Sequence, residues 1–492
     1  MTTDLVHSPT DHRHGDRLTS TQTALLDMEA PNRHMHVGGV FIFEPGPDGF
    51  TFTALDRLIR ARLHRVPRHR QRLAAAPFGI GHPIWVDDAE FDLSYHVRHT
   101  ALPAPGGMPE LLDFAARMFA RPLDRRRPLF QVYLVDGLEG GRTALITKTH
   151  QALIEAIHGR DLVAELLDVD VDGWKADTTE RPHVAKPIPS TLALTSQALL
   201  DVVSSPAELV SATARVARAP GRAAMSALRV TRGIASLATS GRRAPGTAIN
   251  AIPGRHRRLA ATSIPLADVK LVKDAFHTTV NDVVLAIVSD ATGRLLRLHG
   301  ERTDGQIVRV MVPVSTAERG DAHELGNRIA SVVVALPVEE MDPAERLDVC
   351  RQAMSEVRQE HRAVGAGFIM DMADFAPAAL HSAAARLASA SKSYNFMVTN
   401  VPGPRSRRYV LGAPLVAAYP FTPLGPVQAY AVGVTSLVDS MDIGITADWD
   451  ALPDVAAVPG FLEASLRELV EHAGAVDARG EIVRKHLAEP TR

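Results

Sequence analysis

The residues best suited to acid–base chemistry lie close together in the segment KTHQALIEAIHG at 148–159. His150 and His158 carry imidazoles, which titrate near neutral pH and can act as general bases. A base that removes the proton of an attacking hydroxyl contributes a factor of roughly 10²–10⁴ in rate. Gln151 cannot do this, because an amide forms hydrogen bonds but does not hold a proton at neutral pH. Glu155 adds a carboxylate to the same segment.

Other reaction classes have little support in the sequence. Cys350 is the single cysteine, so no disulfide within the chain and no cysteine-based metal site can form. No GxxxxGK[ST], HExxH or CxxC pattern is present, which leaves nucleotide hydrolysis and zinc chemistry without a motif. The group His7, His12 and His14 lacks helical or hairpin spacing and is interpreted as part of a solvated tail. No metal site is predicted.

The composition is that of a globular protein. The chain has 492 residues, of which 46% are hydrophobic and 22% charged, and this length favours two or three domains. A net charge of -2 gives no global field that would attract nucleic acid. The N-terminus lacks the apolar core of a signal peptide, and no stretch of about 18 apolar residues appears. The expected location is cytoplasmic, with any membrane contact peripheral.

Strands and helices alternate along both halves of the chain. Alternating or continuous apolar runs predict strands, and apolar residues at helical spacing predict helices. Strands are predicted at 37–44, 131–138, 143–150, 307–315, 329–338 and 394–404, with a strand opening 257–276 and a hairpin at 427–449. Helices are predicted at 53–65, 108–123, 160–170, 279–298, 344–364 and 461–476, with another closing 257–276; the helix at 160–170 follows a loop.

The pattern divides the chain into four parts. Residues 1–17 are predicted to be a disordered lead, 18–180 an N-terminal domain, 181–255 a basic crossover rich in alanine and arginine, and 256–492 a C-terminal domain. The predicted fold class is α/β or α+β, with two domains joined by a helical crossover.

Seven segments in order resemble the bacterial wax ester synthase/acyl-CoA:diacylglycerol acyltransferase family. This family belongs to the acyl-CoA-dependent acyltransferases with chloramphenicol acetyltransferase-like folds. The resemblance extends from about Leu18 to the closing helix. The matching segments lie at 25–44, 83–99, 122–138, 148–159, 279–289, 313–327 and 400–426.

The resemblance implies a V-shaped pair of similar domains with the active site at their junction. It implies an acyl-CoA donor, an acceptor that is diacylglycerol or a long-chain alcohol, and no separate cofactor. The function expected from it is an O-acyltransferase that makes triacylglycerol or wax ester.

The family signature His-His-x-x-x-Asp-Gly is altered in this chain. Its second histidine is the general base, and the aligned residue is Gln151; the aspartate is replaced by Glu155 and the glycine by Ala156. The first histidine is kept as His150. The resemblance gives the acidic residue a structural role in holding the loop, and Ala156 matters only where the backbone needs positive φ. Because Gln151 cannot act as the base, we expect reduced activity.

Two histidines are candidates to replace the missing base. His150 ends a strand beside position 151, and strand alternation favours a buried structural imidazole that hydrogen-bonds to the backbone. His158 is expected at the start of the following helix, where a surface role is favoured because polar loop residues are usually exposed.

Other family positions have structural alternatives. Pro128, Leu129 and Phe130 match a motif that lines or supports the acyl site, or simply anchor a strand. Asn281 and Asp282 match a motif near the junction; a site-shaping role or an N-cap by Asn281 explains them. His34 and His36 are interpreted as packing or hydrogen-bonding residues.

Several functions stay open. A catalytically silent paralogue that binds acyl-CoA or lipid is the main alternative, and an enzyme with an acceptor that needs no strong base is another. Residues 210–243 contain seven arginines and no acid. This segment predicts a solvated crossover helix, a contact with a membrane or lipid-droplet surface, or a partner for the CoA phosphates.

Overall fold

A computed structural model describes most of the two halves of the chain. The described residues are 17–46, 49–74, 82–156, 161–176, 179–180, 182–187, 244–315, 329–364 and 394–488. Residues 1–16, most of the expected crossover and His158 lie outside this part. Arg17, at the end of the predicted disordered lead, forms a β-bridge with Ile84.

The described elements mix helices and strands throughout. The helices are α1 Ser20–Asp27, α2 Phe52–Arg62, α3 Leu93–His96, α4 Met108–Phe119, α5 Gln151–Ala156, α6 Leu162–Leu166, α7 Leu266–Ala275, α8 Val280–Leu298, α9 Pro343–Val364 and α10 Val458–Ala488. The strands are β1 His36–Phe43, β2 Gln71–Ala74, β3 Ile84–Asp87, β4 Val97–Ala101, β5 Phe130–Asp136, β6 Thr143–His150, β7 Arg257–Pro265, β8 Ile307–Ser315, β9 Ile329–Pro337, β10 Phe396–Val401, β11 Tyr409–Val410, β12 Ala413–Phe421, β13 Tyr430–Ser436 and β14 Ser440–Asp448. No helix within these ranges is long and apolar enough to cross a membrane.

Two six-stranded sheets form the framework. The first has the order β11-β12-β1-β6-β5-β4, and the second has the order β7-β14-β13-β10-β8-β9. The two strands β11 and β12 come from the second half of the chain, yet β12 pairs antiparallel with β1. We call β12 the exchanged strand, because it comes from the second half of the chain and joins the first sheet. The predicted domain boundaries do not anticipate this arrangement, and they stay predictions.

The exchanged strand β12 lies very close to the second sheet. An added Cβ at Gly444 of β14 would lie 2.1 Å from the Pro420 carbonyl oxygen, and one at Gly433 of β13 would lie 2.6 Å from it. Ala418 donates its backbone N–H to the buried Asp442 carboxylate at 2.6 Å. Glycine at these positions therefore lets the two sheets meet at the junction.

Most predicted elements are confirmed, with shifted ends. The strand predictions at 37–44, 131–138 and 143–150 match β1, β5 and β6. The predicted helix at 108–123 ends earlier, at Phe119, and the predicted helix at 160–170 is the shorter α6. The loop expected after β6 is wrong, because α5 begins at Gln151 directly after the strand.

Candidate active site at the β6–α5 corner

Two backbone hydrogen bonds fix the corner where β6 ends and α5 begins. His150 donates its N–H to the Leu129 carbonyl at 2.9 Å, and Gln151 donates its N–H to the Met35 carbonyl at 2.8 Å. Strands β1 and β6 pair so that His36 lies opposite His150. The segment before β1, the start of β5 and the signature segment therefore meet at one point.

His150 is buried, with Nδ1 hydrogen-bonded to the backbone and Nε2 without a hydrogen-bond partner among the described residues. Its side chain is 1% exposed, and Nδ1 accepts the backbone N–H of Ala152 at 3.0 Å. Because Nδ1 is an acceptor, the ring proton of a neutral imidazole lies on Nε2. That nitrogen lies 3.3 Å from Oε1 of Glu29. The structure thus places here a buried imidazole with a backbone hydrogen bond, which was the favoured interpretation, although the argument from strand alternation does not apply because β6 ends at His150.

Glu29 connects this corner to two further groups. Its Oε2 accepts Nη2 of Arg125 at 2.6 Å, and its Oε1 accepts the N–H of Met35 at 3.2 Å. Burial alone raises the pKa of Glu29, but the adjacent His150 and Arg125 outweigh it and lower the pKa to about 2. The carboxylate is therefore ionised at neutral pH.

His34 and His36 lie beside the same carboxylate. Their rings stack with centroids 5.1 Å apart, and the ring of His36 meets that of His150 edge-on at 6.1 Å. Burial, reinforced by Lys148, lowers the pKa of His36 well below its usual value. Neither ring nitrogen of His36 has a hydrogen-bond partner among the described residues, and its Nε2 lies 3.7 Å from Oε1 of Glu29.

Lys148 is a buried lysine two residues before His150. Its ammonium donates to the carbonyls of Met118 at 2.9 Å and Arg121 at 3.1 Å. Burial, with repulsion from Arg121, lowers the pKa of Lys148 to about 7. Its hydrogen bonds to Met118 and Arg121 join β6 to the end of α4.

The same corner touches the second half of the chain. Arg257, at the start of β7, donates Nη2 to the Asn32 carbonyl at 2.6 Å, and Asn32 donates its amide to the Pro253 carbonyl at 2.7 Å. These contacts join the segment before β1 to the first strand of the second sheet. The corner therefore lies where the two halves of the chain meet, and its role as the active site stays a prediction.

Gln151 occupies the first position of α5. Its side-chain Oε1 is a buried acceptor without a hydrogen-bond partner in the described part of the chain. Glu155 also lies in α5, but its side chain is not described. Ala156 is the last residue of α5. His158 lies beyond the described residues.

The motif at Pro128, Leu129 and Phe130 supports the corner from β5. The side chains of Leu129 and Phe130 are buried, and Phe130 stacks on His96 with centroids 4.5 Å apart. The Leu129 carbonyl accepts the N–H of His150. The strand-anchor interpretation agrees with these contacts, and any role at the acyl site stays a prediction.

The second-half motif begins α8, but Asn281 is not its N-cap. Thr279 caps this helix, and its hydroxyl and the carboxylate of Asp282 form a capping box. The side chain of Asp282 accepts hydrogen bonds only from Thr278 and Thr279 among the described residues. The N-cap prediction for Asn281 is therefore wrong, because the cap lies two residues earlier.

Sequence reasoning did not identify Glu29, Arg125, Lys148 or Arg257 as part of the site. Glu29 lies in the family-like segment 25–44 and Arg125 in 122–138, so the segments contained the information but gave no reason to choose these residues. The burial of Lys148 and the contact of Arg257 with Asn32, more than 200 residues earlier, leave no local pattern in the sequence.

Solved structures with this two-sheet arrangement define the class. The wax ester synthase/diacylglycerol acyltransferase from Marinobacter aquaeolei VT8 matches with a TM-score of 0.67 and 25% identity, covering 93% of this chain and 100% of that one. The first condensation domain of the CDA synthetase matches in fold, with a TM-score of 0.52, 16% identity, and coverage of 93% and 96%. The chain therefore has the chloramphenicol acetyltransferase-like fold that was predicted.

Sequence comparisons identify the family. Residues 18–284 match the wax ester synthase/diacylglycerol acyltransferase catalytic domain, and residues 325–470 match the WS/DGAT C-terminal domain. A relative named "Probable diacylglycerol O-acyltransferase" from Mycobacterium tuberculosis is 30% identical, over 96% of this chain and 99% of that protein. This chain belongs to the wax ester synthase/diacylglycerol acyltransferase family and is an acyltransferase.

Proposed function

We propose that this chain transfers a long-chain acyl group from acyl-CoA to diacylglycerol or a long-chain alcohol, at a rate reduced by Gln151. Family membership across both halves supports the reaction class. The observation that carries the reduced rate is the placement of Gln151 at the β6–α5 corner, where its backbone is anchored to Met35. The backbone at this position is anchored, and its side chain lacks the proton acceptor of the family signature.

The proposed reaction moves one acyl group and one proton. The acceptor hydroxyl oxygen forms a bond with the thioester carbonyl carbon, the carbon–sulfur bond breaks, and the hydroxyl proton ends on the CoA sulfur. A thiol pKa near 8.5 makes the thiolate a good leaving group, so its departure needs little help. Positioning of the two substrates then supplies much of the acceleration. The transfer uses acyl-CoA as a substrate and no separate cofactor.

Gln151 is proposed to orient the acceptor without taking its proton. Its buried Oε1 can accept a hydrogen bond from the attacking hydroxyl, which would satisfy an atom that has no partner among the described residues. Without a base, the factor of roughly 10²–10⁴ from general base catalysis is missing.

His150 is proposed as a positioning residue. Its Nδ1 holds the Ala152 N–H in the first turn of α5, and its Nε2 faces Glu29. A ring that is 1% exposed, with Nδ1 occupied by the Ala152 N–H and Nε2 directed at Glu29, is poorly placed to take a proton from a substrate.

The second candidate function is a silent paralogue that binds acyl-CoA or lipid, or that partners an active relative. Gln151 itself favours it, because binding does not need a base.

Residues 210–243, outside the described part, are proposed as a peripheral contact with a membrane or lipid-droplet surface because basic amphipathic segments bind anionic interfaces.

One assay separates these functions. CoA release from palmitoyl-CoA is followed with diacylglycerol or hexadecanol, and the ester product is identified by mass spectrometry. Wild type is compared with Gln151→His and His150→Asn, and His99→Asn, at an exposed histidine paired with Asp136, is the control. We expect slow turnover by wild type and a rate higher by about 10²–10⁴ in Gln151→His.

The remaining outcomes decide the roles. A residually active His150→Asn variant whose pH profile lacks an ionisation that wild type shows would assign the base to His150 instead. Absence of turnover in every folded variant, with palmitoyl-CoA still bound in calorimetry, would establish the silent binding protein.

A further inference from the structure

Three side chains from one short segment meet beside the β6–α5 corner, and together they have the composition of a metal site. Glu29, His34 and His36 each offer one ligand atom, and these atoms all lie within 4.8 Å of one another. Two imidazole nitrogens and one carboxylate oxygen form the ligand set of zinc sites that keep a fourth position open. The sequence predicted no metal site, because Glu29, His34 and His36 do not follow the HExxH or CxxC spacing.

The buried His36 provides a second and independent observation. Its ring is 3% exposed, and both nitrogens lack a hydrogen-bond partner among the described residues. A buried polar group without a partner is costly, and a bound ion or water is one of the ways in which folded proteins satisfy it. A metal ion at the Glu29 side of the ring would satisfy Nε2.

The carboxylate is held in a suitable orientation. Arg125 binds Oε2, which leaves Oε1 directed toward the imidazoles. Oε1 accepts one hydrogen bond, from the backbone N–H of Met35, and also lies 3.3 Å from Nε2 of His150, which a metal ion at this oxygen would face. Hydrogen-bonded partners of this kind fix the ligating groups in known metal sites.

We propose that Glu29, His34 and His36 bind one divalent transition-metal ion of the zinc type. His34 and His36 are two residues apart and stack face to face, so both rings lie on one side of the chain. The side-chain nitrogen of Lys148 donates to the carbonyls of Met118 and Arg121, so Lys148 is not proposed as a metal ligand. This proposal does not depend on the proposed acyl transfer.

The test uses Co²⁺ and Zn²⁺ with the full-length chain. The N-terminal group His7, His12 and His14 is replaced by alanine in every sample, because those imidazoles could bind metal themselves. Co²⁺ is added and its visible absorption is recorded, and Zn²⁺ affinity is then measured by displacement. We expect one ion per chain with the spectrum of a four-coordinate site.

Matched variants assign the ligands. His34→Ala removes a half-buried ring, and its expected effect is a fall in affinity of more than about 100-fold, since even partners outside the ligand shell contribute 10–100-fold. His99→Ala removes an exposed histidine paired with Asp136 and should leave binding unchanged. His36→Asn, checked by circular dichroism, should behave as His34→Ala does.

Two results would overturn the proposal. One is the absence of stoichiometric Co²⁺ or Zn²⁺ binding in the folded protein that lacks the three N-terminal histidines. The other is binding that persists undiminished in His34→Ala.

Discussion

The exchange of β12 into the first sheet predicts an unusual sensitivity to one added methyl group. Gly444→Ala places a Cβ 2.1 Å from the Pro420 carbonyl oxygen and 3.0 Å from its carbonyl carbon. An ordinary carbon–oxygen contact is about 3.3 Å or longer, so β12 and β14 must separate by about 1 Å. The obstacle is backbone, which cannot rotate away as a side chain would. We expect a loss of about 1–3 kcal/mol in the free energy of unfolding.

A series of glycine variants supplies the controls. Gly433→Ala meets the same oxygen at 2.6 Å and should cost less than Gly444→Ala. Gly460→Ala in α10 meets nothing within 4 Å and should be neutral or stabilising by up to about 1 kcal/mol, because alanine favours the helix. Urea unfolding followed by circular dichroism measures all three. Equal stability of Gly444→Ala and Gly460→Ala would show that β12 does not lie this close to the second sheet.

Two further predictions concern single side chains. Cys350 is buried, and burial raises its pKa to about 12. An aromatic disulfide reagent should therefore label it only after denaturation. Rapid labelling of the native protein would contradict its buried position. Thr279→Ala removes the N-cap of α8 and should lower stability by about 0.5–2 kcal/mol in urea unfolding, whereas an unchanged midpoint would argue against the capping box.

The sequence predicts elements well where the pattern is local. The strand β5 and the helix α8 are rich in apolar residues over their length, and their patterns need no tertiary information. The exchanged strand β12 is different. Its pairing with β1 joins residues far apart in the chain, and no local pattern states which sheet receives it.

The candidate site shows the same division. The segment around His150 and Gln151 could be selected from the sequence because its signature is contiguous. The loop expected after β6 was wrong because residue 150 ends the strand and its ring nitrogen takes the N–H of Ala152, which favours a helix start. The meeting of Glu29, Arg125 and His36 with His150 required the register of β1 on β6, which the sequence does not state.

The central claim is that the scaffold of this acyltransferase is kept while its usual base position holds Gln151. Single-turnover transfer from palmitoyl-CoA to hexadecanol, measured against pH in wild type and Gln151→His, tests it most directly. We predict a rate increase of about 10²–10⁴ in Gln151→His and a new dependence on a group that titrates near pH 7. An unchanged rate and pH profile in a folded variant would contradict the claim that position 151 is where the base is missing.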